Sequence, residues 1–111
     1  MIDLELKQLS GFIGTTRYYG VLGANVTDGI KYIMDNGYSW FVTDSLIVAK
    51  MKFKHEPFLS IKLKLKDKGA ETIITDGNTK TLYKQQYLIT DAKQNIDLFY
   101  CDNVLMLSNE Y

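Results

Sequence analysis

The clearest pattern along the chain is a strict alternation. Leu59, Ile61, Leu63 and Leu65 are apolar, while Ser60, Lys62, Lys64 and Lys66 between them are polar. Successive side chains of a strand point to opposite faces, so this period of two predicts an antiparallel strand with one buried and one wet face. Lys68-Gly69 permits a turn into a strand over Glu71 to Thr75, and Asp76-Gly77-Asn78 supplies residues that tolerate the positive φ of a hairpin. The return strand runs from Lys80 to Ile89, with Tyr83, Gln85, Tyr87 and Ile89 on one face. The two tyrosines are expected to finish the core. A last hairpin pairs Ile96 to Cys101 with Val104 to Leu107 across Asp102-Asn103.

Before Pro57 the pattern is helical. Leu4 to Phe12 has the spacing of a short amphipathic helix ending near Gly11 or Gly14. Tyr18 to Gly23 is aromatic and bounded by glycines, which suits an extended segment. Thr27 then reads as an N-cap with Asp28 in the first turn; Ile30, Ile33 and Met34 share a helical face, and Asn36-Gly37 closes it. A second helix starts around Tyr38, with Trp40, Phe41, Ile47, Val48 and Met51 as its apolar stripe against Thr43, Ser45 and Lys50. Four Thr-Asp pairs, at Thr27, Thr43, Thr75 and Thr90, recur without a fixed spacing and are read as cap and turn formers. Helices first and strands later give an α+β class. The expected architecture is a single domain over residues 1–111. N-terminal helices, in a part of about 1–55, pack on one face of an antiparallel sheet of about four to five strands, in a part of about 58–108.

Composition adds limits. A chain of 111 residues with 46% hydrophobic content has one domain's length and enough apolar surface for a core. A single cysteine, Cys101, rules out an internal disulfide and points to the cytoplasm. The first seven residues place acids where a signal peptide needs bases, and no apolar run approaches the ~18–20 residues of a membrane span, so no membrane partner is expected. The formal net charge is +0, but residues 50–68 carry seven lysines against Glu56 and Asp67. A wholly basic nucleic-acid binder and a wholly acidic DNA mimic are both disfavoured, leaving room for a local basic strip.

Candidate chemistry is sparse. His55 is the only histidine, beside Lys54, Glu56 and Pro57, and reads as a surface residue; Cys101 has no basic neighbour and reads as packing. Ser45 lacks a glycine-flanked elbow, and Gly20-Val21-Leu22-Gly23 lacks the spacing of a phosphate loop. Neither a metal nor a cofactor is expected, and the chain is read as non-enzymatic. Two surfaces remain. Lys62, Lys64 and Lys66 form a cationic row at about 6.7 Å intervals, suited to the phosphates of a single nucleic-acid strand, with Tyr83 and Tyr87 as stacking surfaces if they share that face. The competing reading is that lysines on an exposed strand only keep sheets from pairing. Tyr18, Tyr19 and Tyr38 sit beside glycine-rich turns and are the candidate protein-contact residues.

Leu6-Lys7-Gln8-Leu9-Ser10-Gly11-Phe12, Gly14-Thr15, Thr27-Asp28-Gly29-Ile30-Lys31-Tyr32 and Tyr38-Ser39-Trp40-Phe41-Val42 together resemble a family of short uncharacterised proteins from phages and mobile elements of bacteria. The ending from Asp102 to Tyr111 is similar to that family's closing segment, although a proline usually stands at or beside Asn109. The likeness is loose through residues 53–95. It implies an accessory protein of a mobile element, acting in the cytoplasm of a bacterial host. The leading expectation is a protein-binding module that inhibits a host defence system, in the manner of an anti-CRISPR protein, with a host or phage protein as partner. The alternative is a single-stranded nucleic-acid binder on the lysine face.

Overall fold

The computed structural model describes residues 17–78, 80–88, 90 and 92–111. The helix expected over Leu4 to Phe12 lies outside them, as does Ile89. The described chain opens on a hairpin of β1 (Tyr19–Val21) and β2 (Ala24–Val26). Its turn places Leu22 at φ 51° and Gly23 at φ 80°, the two positive values that match the twist of paired strands. The extended segment around Tyr18 to Gly23 is therefore one strand and its turn.

α1 (Asp28–Ile33) starts where its cap predicts: the Thr27 Oγ1 accepts a hydrogen bond from the Ile30 N–H at 3.4 Å. Helical geometry breaks at Asn36 (φ −109°) and Gly37 (φ 98°), and α2 (Ser39–Lys52) follows. The apolar stripe of α2 differs from the expected one. Phe41, Val42, Ser45, Leu46 and Ala49 are buried, whereas Ile47 and Met51 are 43% and 77% exposed. Apolar residues stand on every side of this helix, so spacing alone selects no face. The break at 36–37 and the packing of Phe41 set its rotation instead.

Five strands follow: β3 (Leu59–Leu65), β4 (Ala70–Thr75), β5 (Thr81–Tyr87), β6 (Ile96–Cys101) and β7 (Val104–Leu107), then a short helical turn at Ser108–Glu110. The sheet has seven strands in the order β1-β2-β7-β6-β3-β4-β5, where four to five antiparallel ones were expected. Two extra strands come from the hairpin, whose three-residue arms are too short to show a period of two. The sheet is mixed because β2 runs parallel to β7, through Asn25↔Val104 and Val26↔Leu105. Strands therefore also precede the helices.

The alternation of β3 holds. Leu59, Ile61 and Leu63 are fully buried against the helices, with Leu98 of β6, Ile74 of β4, and Leu105 and Leu107 of β7 on the same side. Tyr83 and Tyr87 also face the helices. Tyr83 meets Phe53 at 6.3 Å, and Tyr87 meets Trp40 at 5.1 Å while its hydroxyl donates to Asp44 Oδ2 at 3.1 Å. Both helices lie on this one side of the sheet. Among the described residues no helix covers the other.

Candidate functional site

The face that no described helix covers is built by register. Lys62 on β3 stands opposite Asp97 on β6 and Ile73 on β4, and Ile73 stands opposite Lys84 on β5. One row along, Ser60 stands opposite Phe99 on one side and Thr75 on the other, and Thr75 pairs with Thr81. Lys62 and Lys64 are two residues apart on one strand, about 6.7 Å; Lys62 and Lys84 are two strands apart, about 9.5 Å. These side chains line a groove of about 950 Å³, closed at one end by Phe58, Phe99 and Tyr111.

The aromatic end is tightly organised. Phe58 and Phe99 lie 5.0 Å apart, and Tyr111 meets Phe58 at 5.6 Å and Phe99 at 5.4 Å, edge to face. Gly77, at φ 90°, gives Phe58 its space: a Cβ there would fall 2.7 Å from the ring. Tyr111 is held through its neighbour. The Glu110 carboxylate accepts from Thr27 Oγ1 at 2.6 Å, from the Leu107 N–H at 2.9 Å and from the Gly29 N–H at 3.2 Å. It thereby ties the last helical turn to the start of α1. Asp76 and Asp97 offset two of the three lining lysines. The groove is thus only mildly cationic, and the charge concentrates at Lys62, Lys64 and Lys84.

The structure sorts the residues singled out by sequence. Lys62 and Lys64 project into the groove, but Lys66 lies beyond β3 with its ammonium 3.9 Å from the buried Glu71 carboxylate. Tyr83 and Tyr87 are on the opposite side and cannot stack with a ligand of the lysines. Tyr18 is 60% exposed, Tyr19 packs half-buried on the core, and Tyr38 is fully buried. The Tyr38 hydroxyl accepts from the Lys93 N–H at 3.0 Å, and its ring lies 6.4 Å from Trp40. Tyr38 is a core residue, because the break at Asn36-Gly37 turns its ring under the helix. Its assignment as a contact residue is corrected here.

Lys84, Phe58, Phe99 and Tyr111 escaped sequence reasoning. Parity already carried three of them: Phe58 is two residues before Ser60, Lys84 alternates with Tyr83 and Gln85, and Phe99 alternates with Leu98. Nothing in the spacing pointed to Tyr111.

A second cleft, of about 510 Å³, brings His55 and Cys101 into one lining with Lys50, Tyr100 and Asn103. Burial and the neighbouring Asp102 carboxylate push the Cys101 thiol up, which disfavours its thiolate form. Among the described residues no group of three or more His, Cys, Asp or Glu side chains could hold a metal ion. None of their helices is long and apolar enough to cross a membrane.

The architecture and this face define an α+β domain with an open, lysine- and aromatic-lined sheet. The chain belongs to a family of unknown function, DUF6876, whose model matches residues 3–111. No curated protein and no solved structure matches it.

Proposed function

We propose that the chain is a non-enzymatic binding module that takes single-stranded nucleic acid on the open face of its sheet. The observation that carries this reading is the union, in one groove, of Lys62, Lys64 and Lys84 with three aromatic rings. Proteins that hold single strands combine a cationic track for phosphates with rings that accept bases. The test is fluorescence anisotropy of a labelled oligothymidylate at low salt. Binding is expected, with a loss of about tenfold or more in the Lys62→Glu, Lys64→Glu double variant. No binding by the wild-type protein at low salt sinks the proposal.

A second reading is favoured by one observation. At the β1 edge of the sheet, Tyr18 and Leu22 are 60% and 53% exposed, an aromatic and apolar pair suited to a protein partner. In this reading the chain is a protein-binding module of phage or mobile-element origin that inhibits a host defence complex. Alanine at Tyr18 and Tyr19 would then abolish partner capture from host cells with a native circular dichroism spectrum. Unchanged capture rules out that edge.

A further inference from the structure

We infer that Phe58, Phe99 and Tyr111 form a stacking platform for a single unpaired base, which makes the groove selective for single strands over other polyanions. The inference rests on the nucleic-acid reading above and assigns it a base-binding residue. The ring geometry sets the stoichiometry. A base sandwiched between two rings needs two van der Waals contacts, about 7 Å between ring planes. The three centroid separations here are 5.0, 5.6 and 5.4 Å, at interplanar angles of 54°, 80° and 86°. No slot between these rings admits a base, so a base can only lie on an outer surface of the cluster. Tyr111 is 74% exposed, while Phe58 and Phe99 are half-buried and pack against it edge to face.

The platform is also held in place before any ligand arrives. Phe58 is backed by Gly77, and the three hydrogen bonds of Glu110 fix the turn that delivers Tyr111. A ring ordered in advance loses little freedom on binding. Along β3 and the residue before it, the series Phe58, Ser60, Lys62, Lys64 advances about 6.7 Å per step. A strand lying along it places one base over Tyr111, its backbone past Ser60 and Thr75, and its following phosphates at Lys62 and Lys64. Duplex DNA cannot present a base face in this way, and inorganic polyphosphate has none.

The experiment compares oligothymidylate, a duplex of equal length, inorganic polyphosphate and polyglutamate as ligands of the wild-type, Tyr111→Ala and Tyr111→Trp proteins. Oligothymidylate is expected to bind wild type about tenfold or more tightly than the duplex or polyphosphate. Tyr111→Ala should weaken the oligothymidylate complex about five- to a hundredfold and leave the other two unchanged. Tyr111→Trp should restore it. If single strand and polyphosphate bind equally and Tyr111→Ala changes neither, the platform is wrong while the lysine track stands. If nothing nucleic binds, the broader reading falls with it. Preference for polyglutamate overturns both in favour of an acidic protein partner.

Discussion

At the scale of single residues, Leu22 stands out. It occupies a positive φ of 51° in the β1–β2 turn and is 53% exposed. A branched apolar side chain there crowds the backbone, at a cost of roughly 1–2 kcal/mol, with little burial to offset it. The neighbouring Gly23 already has the residue type the turn requires. The partner turn, Asp102-Asn103, achieves the same geometry with side chains that tolerate it, at φ 53° and 62°. Leu22→Asn should therefore stabilise the domain by about 0.5–1 kcal/mol, seen as a higher urea midpoint with an unchanged slope. A lower midpoint would show that the Leu22 side chain makes contacts worth more than the strain.

At the scale of elements, the link between α2 and β5 is where titration shows packing. Tyr87 of β5 donates to Asp44 of α2 at 3.1 Å, and its phenol is pushed up to about 12 from 10.0. Burial is the chief cause. The Thr72 hydroxyl, nearby without closing a hydrogen bond, opposes it and the Asp44 carboxylate reinforces it. Because the folded value is raised, this stabilisation is complete below pH 10 and is lost as pH climbs from 10 through 12. Two units correspond to about 2.7 kcal/mol; for a half-exposed ring, solvent screening reduces this to about 1 kcal/mol. Wild type should thus lose about 1 kcal/mol more than Tyr87→Phe between pH 9 and pH 12 in urea titrations. Equal losses would mean that the phenol is not coupled to folding. The same elements show what the sequence made legible. β3 alternates because one of its faces is dry and the other wet, and Thr27 caps because its hydroxyl can reach a helix N–H; both are local facts. The burying face of α2 and the parallel β2–β7 pairing are tertiary facts, fixed by the Gly37 break and by the register that brings Asn25 beside Val104. The groove lay between these cases. Its lysines on β3 were visible from parity, but Lys84 and Tyr111 required the β3–β4–β5 register and the Glu110 anchor.

At the scale of the whole molecule, the net charge of +0 removes any general attraction for a polyanion, so electrostatic binding must come from local contacts. That makes ionic strength a direct count of them. Each phosphate neutralised on a single strand contributes about −0.7 to the slope of log K against log salt. With Lys62, Lys64 and Lys84 engaged, the slope should be near −2. Replacing any one by glutamine should bring it closer to zero by about 0.7, whereas Tyr111→Ala should weaken binding with the slope unchanged, because a stacked base releases no counterion. Lys66→Gln should leave the slope almost untouched, since its ammonium lies beside Glu71 and outside the groove. Anisotropy titrations from about 25 to 300 mM salt would measure the wild type and all five variants. A wild-type slope near zero would remove the lysines from the interface. A slope that responds to Lys66 and not to Lys84 would mean that the ligand runs along β3 and does not cross the sheet.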